Sequence, residues 1–166
     1  MDNMLGSECR DLVVPDFTGI IIQEAYHVSG CRCYLVASQK LVDGKRQASC
    51  WLSSDRVEII SDGIRTNLEE KGLKLEKTRV DDVLELGKMG TDKLSSYSGG
   101  ILAKIFNLFG SDQLALQSKA KDGELKEAES FDIGRISISD EGISVGDIQA
   151  QKPGATRLKI SDNRAF

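Results

Sequence analysis

An internal repeat constrains this chain more than any other feature, because a duplication changes the whole reading of the fold. The stretch FTGIIIQEAYHVSGCRCYLVAS from Phe17 aligns without a gap on YSGGILAKIFNLFGSDQLALQS from Tyr97. Gly19 falls on Gly99, Ile21 on Ile101, Tyr26 on Phe106, Gly30 on Gly110, Val36 on Leu116 and Ser38 on Ser118. Single-residue slips bring Asp43-Gly44 onto Asp122-Gly123, Trp51 onto Phe131, Arg56 onto Arg135, Ile59 onto Ile138 and Gly63-Ile64 onto Gly142-Ile143. Upstream, Leu5-Gly6 and Asp11 match Leu86-Gly87 and Asp92. The shared residues are turn glycines and alternating large apolar side chains, the types that specify backbone geometry.

Each copy reads as β structure. Thr18 to Tyr26 and Cys31 to Ser38 are rich in Ile, Val, Tyr and Leu and are joined by a short segment ending in Gly30. Asp43-Gly44 tolerates the positive φ of a tight hairpin, Ala48 to Leu52 resumes a strand, and Val57 to Ile60 follows the Ser53-Ser54-Asp55 turn. With Arg10 to Val14 in front, about five short strands fall in one copy; too few for an immunoglobulin-sized sandwich, they suit a small closed barrel of the SH3-like kind. Gly19 and Gly99 mark a bulge or a close backbone approach, and Trp51 and Phe131 are expected inside the barrels. Ile101, Leu102, Ile105, Phe106, Leu108 and Phe109 also carry helical spacing, so a membrane-surface or partner-binding helix is the competing reading there; the alignment with Ile20–Gly30 favours a strand and turn.

The expectation is therefore an all-β chain: a first SH3-like barrel over 1–61, a charged connector over 62–85 that forms a short helix or an added strand, a second barrel over 86–145, and a C-terminal arm over 146–166. That arm carries 4 basic and 2 acidic residues and one alternating stretch, Arg157, Leu158, Lys159, Ile160. It cannot bury a core of its own and suits strand addition to a neighbouring subunit.

The candidate chemistry is thin. All four cysteines, Cys9, Cys31, Cys33 and Cys50, lie in the first copy; the Cys-X-Cys on a strand puts two thiols on one face, where zinc, a disulfide or plain small apolar packing are the alternatives, the last being favoured. His27 is the sole imidazole and reads as a surface histidine. Asp81-Asp82 and Glu69-Glu70 are adjacent in sequence, so their carboxylates diverge and serve poorly as an acid/base pair. No dinucleotide, phosphate-loop or His-Glu-X-X-His signature occurs. With nine aromatics in all, the composition points away from catalysis and from any cofactor. A net charge of -4 disfavours general nucleic-acid binding, no apolar run reaches membrane-spanning length, and the opening MDNMLGSECR leaves a secretory signal unexpected.

Asp16-Phe17-Thr18-Gly19-Ile20-Ile21, Tyr26-His27-Val28-Ser29-Gly30-Cys31, Asp43-Gly44-Lys45 and Trp51-Leu52-Ser53-Ser54-Asp55-Arg56-Val57-Glu58 resemble the small SH3-like proteins encoded among the structural genes of tailed bacteriophages and prophages. The second copy follows more weakly, with Ser111 in place of the cysteine; Asp16 and Ser96 replace the opening glycine. The resemblance implies a fold and a setting, with no activity to carry over: a non-enzymatic virion protein, made in the host cytoplasm and present in many copies as a capsid decoration or minor head or tail component. Its partners would be other virion proteins, with Arg157–Ile160, Tyr34 and Trp51 as contact residues. A looser similarity, Gly19-Ile20-Ile21-Ile22, is to KOW-type barrels. That similarity implies a nucleic-acid or ribonucleoprotein binder using Arg32, Arg46 and Arg56 with Trp51 or Tyr34 for stacking. A host-directed phage protein is the third reading.

Overall fold

The structure, a computed structural model, describes residues 3–72, 75, 85–120 and 122–142. It is predominantly β. The strands are β1 (Glu8–Asp11), β2 (Thr18–His27), β3 (Arg32–Ser38), β4 (Leu41–Val42), β5 (Lys45–Arg46), β6 (Cys50–Ser53) and β7 (Val57–Ser61), then β8 (Lys88–Asp92), β9 (Ser98–Asn107), β10 (Gln113–Gln117), β11 (Glu129–Asp132) and β12 (Ile136–Gly142). One short helix, α1 (Arg65–Glu70), follows β7. Among the described residues no helix is long and apolar enough to cross a membrane.

All pairings are antiparallel, and the same order occurs twice. In the first copy β1 pairs with both β2 and β7, β2 with β3, and β3 with β6, giving β7-β1-β2-β3-β6. The second copy runs β12-β8-β9-β10-β11. In each, a 3-10 turn joins the fourth and fifth members, at Ser54–Arg56 and at Ile133–Arg135. The tight turn at Asp43-Gly44 has positive φ at both residues, 52° and 72°, as a two-residue hairpin with right-handed twist requires. It caps a separate small ribbon of β4 and β5.

Gly19 and Gly99 owe their identity to close backbone approach: a Cβ on Gly19 would collide with the Ala37 carbonyl, and one on Gly99 with the Gln117 carbonyl. Each long strand also carries a bulge at the same place, Ile22 in β2 and Leu102 in β9, where the register to the next strand slips by one residue.

Alternation along β2, β3, β9 and β10 fills two apolar clusters. One holds Leu5, Cys9, Phe17, Ile20, Ile21, Tyr34, Val36 and Leu52, together with Phe106 and Leu108 from the second copy. The other holds Ile101, Leu114, Leu116, Phe131 and Ile136. The copies therefore share core side chains at their junction, where Gln23 to His27 of β2 pair with Asn107 to Ala103 of β9 and join ten strands into one sheet.

Ile101 to Phe106 lie in β9, as the alignment with Ile20–Gly30 favoured over the competing helix, and Ser98–Asn107 finds strand partners in β8, β10 and β2. The placement of Trp51 is corrected. Trp51 does not fill the interior: Tyr34 stands opposite Leu52 as Leu114 stands opposite Phe131, so Leu52 is the counterpart of Phe131 and Trp51 turns to the other face, half-buried. The first part of the connector packs back on the first copy, with Ile64 and Leu68 against its core and the Arg65 guanidinium donating to the Asn3 and Leu5 carbonyls at 2.6 and 2.9 Å. Most of the remaining connector and the arm, with Arg157, Leu158, Lys159 and Ile160, lie outside the described residues.

Candidate functional site

The polar interior is a set of ion pairs that hold loops. In the first copy, the buried Asp11 carboxylate accepts from Arg56 Nη2 at 2.6 Å and from the Val13 amide at 2.9 Å, while the Leu12 amide donates to the Arg56 carbonyl at 2.8 Å. The second copy repeats this: Asp92 accepts from Arg135 Nη2 at 2.7 Å and from the Ser95 amide at 2.9 Å, and the Lys93 amide donates to the Arg135 carbonyl at 2.9 Å. Burial works against ionised Asp11, but the Val13 amide and the Arg56 guanidinium outweigh it and hold the carboxyl below its ordinary pKa. At Asp92 the Arg135 hydrogen bonds dominate, joined by Ser95, and the shift is strongly downward. Each pair thus locks the loop between the first and second strands of its copy.

What those locked loops display differs between the copies. In the first, Leu12, Val13 and Val14 are all more than half exposed on a loop held by backbone hydrogen bonds, the Phe17 amide donating to the Val14 carbonyl at 2.8 Å. Lys40 Nζ reaches the Asp16 carbonyl at 2.8 Å and sets the β4–β5 ribbon beside this loop. The ribbon adds Leu41 and Val42, also more than half exposed, with Lys45 and Arg46 next to them. In the second copy the corresponding loop reads Lys93, Leu94, Ser95, and the hairpin residues matching Leu41, Val42 and Lys45 are Ala120, Lys121 and Glu124. One scaffold therefore carries an aliphatic face on the first copy and a more polar one, with Leu94 exposed, on the second. Five aliphatic side chains are thus exposed across this loop and ribbon of the first copy.

The remaining candidates fall elsewhere. Tyr34 is 5% exposed inside the first core, with the Arg32 guanidinium 5.1 Å from its ring centroid; its ring is closed to stacking by a partner. Arg32 is paired with buried Glu24, and Arg56 with Asp11. His27 is half-buried, correcting the surface reading, and burial lowers its pKa. The four thiols are free: Cys9 is buried opposite Gly19 and its pKa is pushed up to about 11 by burial, Cys31 is exposed beside β3, Cys33 faces Ser53, and Cys50 faces Val36. Cys50 thus sits about 10 Å along β3 from Cys33 at ordinary strand rise. Among the described residues no three His, Cys, Asp or Glu side chains are grouped to hold a metal.

Sequence reasoning missed the exposed loop aliphatics, because Leu12-Val13-Val14 read as the end of a strand. It also missed the buried charges Glu24 and Lys104. The Asp–Arg pairs did leave a signal, since both partners recur in the alignment of the copies.

Comparison with protein-family models, with curated proteins and with solved structures found no match.

Proposed function

We propose that the protein is a non-enzymatic adhesion protein built from two tandem SH3-like barrels, one over each copy, and that it serves as a decoration or minor head or tail component of a tailed-phage particle. The strand order supports the barrel reading: the first strand of each copy pairs with both the second and the last, as a small five-stranded barrel requires. The virion setting rests on the resemblance of Asp16–Ile21, Tyr26–Cys31 and Trp51–Glu58 to the phage proteins.

The observation that carries adhesion is the divergence of the two loop faces. Leu12, Val13, Val14, Leu41 and Val42 are exposed where the other copy places mostly polar residues, so solvent exposure at these positions does not itself demand aliphatic side chains. Docking would bury them against another virion protein, with Arg157–Ile160 adding a strand to a neighbouring subunit as a second contact. Repetition of the weak contact around a symmetric shell would multiply its strength. Nucleic-acid binding is the weaker reading, since Arg32 and Arg56 are engaged by carboxylates and Tyr34 is enclosed.

Mass spectrometry of purified particles tests the setting: stoichiometric recovery of the chain is the expected result, and its absence from particles rejects it. Incorporation of a Val13→Asp, Leu41→Asp variant tests the face; undiminished incorporation by a folded variant assigns adhesion elsewhere. Deletion of 150–166 tests the arm in the same way.

A further inference from the structure

The junction between the copies obeys a two-fold rule. Ala25 sits directly opposite Ile105, and Ile105 is the residue that the alignment makes its counterpart, 80 positions along the chain. Pairing then proceeds symmetrically outward, from Gln23 opposite Asn107 to His27 opposite Ala103. The hydrogen bonds beyond the ladder are reciprocal: the Val28 amide donates to the Leu102 carbonyl at 2.7 Å, and the Leu108 amide to the Ile22 carbonyl at 2.9 Å. Val28 and Leu108 are counterparts, as are the bulge residues Ile22 and Leu102. Tyr26 and Phe106, also counterparts, meet edge to face with ring centroids 5.8 Å apart.

An interface in which each residue meets its own equivalent is isologous, the geometry of a two-fold homodimer. A linker joining two independent barrels has no reason to produce it. We infer that the β2–β9 junction is a dimer interface, formed by two copies of a single repeat and now closed within one chain, and that the interface rather than the connector holds the copies together.

One pair of counterparts breaks the symmetry. Glu24 and Lys104 occupy equivalent positions, stand opposite Phe106 and Tyr26, and share one face of the junction with those rings. Both are buried, at 0% and 6% exposure. Each has a partner on its own side of the junction: Glu24 takes Arg32 and the Tyr26 hydroxyl, and Lys104 takes Glu85 at 3.4 Å. Each charge is thus compensated locally, and the exchange of Glu for Lys marks the junction as one between unlike halves without adding an ion pair across it.

The test begins with the full chain, its connector lengthened by a flexible Gly-Ser insert after Lys77. Exchange of the Val28 and Leu108 amides should remain slowed more than about 100-fold relative to unstructured peptide, as in the parent. Exchange at peptide rates in the lengthened chain, with the two cores still protected, overturns the inference. Supplying the whole sequence as two co-expressed chains, 1–77 and 78–166, gives a second readout by native mass spectrometry. The expected result is a one-to-one complex of unlike halves; separate halves, insoluble halves or pairs of like halves reject it.

Discussion

Arg135 reaches across from the 3-10 turn to Asp92 at the end of β8, its Nε and Nη2 donating to the two carboxylate oxygens at 3.0 and 2.7 Å while Asp92 itself has no solvent exposure. Arg56 and Asp11 reproduce this fork in the first copy, with Nη2 at 2.6 Å and Nε at a longer 3.4 Å. A bidentate guanidinium fixes direction as well as charge.

Arg135→Leu should therefore lower the denaturation midpoint sharply, because it strands a buried carboxylate. Arg135→Lys should recover little, since an ammonium cannot span both oxygens. Asp92→Asn, which keeps an acceptor for Ser95, should be milder than Arg135→Leu. Urea titration of the three variants checks the ranking; equal midpoints would mean that the fork contributes nothing.

Acid should destabilise the protein in two separate stages. His27 has a folded pKa below its ordinary value of about 6.5, so the unfolded chain takes up the proton first and stability falls as pH drops through and below that value. Asp11 and Asp92 are likewise depressed; their contribution is full above the ordinary aspartate range near pH 4 and is lost as pH falls below it. Melting curves between pH 8 and 3 should show both stages, with His27→Gln removing only the upper one.

Leu52→Ala should cost about 2–5 kcal/mol, the usual range for truncating a fully enclosed leucine. Trp51→Ala should cost about 1 kcal/mol, the scale of a cross-strand pair with Leu35. Chemical denaturation reads both, and a larger loss at Trp51 would reverse the assignment of which side chain faces the core.

Gly19→Ala and Gly99→Ala should each cost about 1–3 kcal/mol by overpacking, because the added methyl meets a carbonyl of the adjacent strand rather than a side chain that can turn away. Gly134→Ala, where nothing lies within reach of the methyl, is the control and should leave stability unchanged.

The repeat told most of what the fold would be, because glycines that permit a turn or a close approach stay where the backbone needs them. Gly19 with Gly99, Gly30 with Gly110 and Asp43-Gly44 with Asp122-Gly123 were legible for that reason. Side-chain direction was not: from Asp43-Gly44 onward a constant register puts Leu52 on Phe131, and one unneeded slip substituted Trp51, which inverts inside and outside on a strand of period two. Glu24 and Lys104 were illegible because polar side chains within an alternating strand read as solvent-facing unless the neighbouring copy that covers them is known. The loop aliphatics were read as strand for lack of any local signal that Asp11 and Arg56 would stop β1 at Asp11 and turn the chain outward.

The antiparallel meeting of β2 and β9 sends the starts of those two strands in opposite directions. The aliphatic loop before Thr18 and the polar loop before Ser98 consequently lie beyond opposite ends of the β2–β9 pairing. A body with like architecture at each extremity but unlike side chains there has a polarity. If it were seated on a support by one end, every neighbour in a layer would point the same way, so that the outward face of such a layer would be set by the other copy alone.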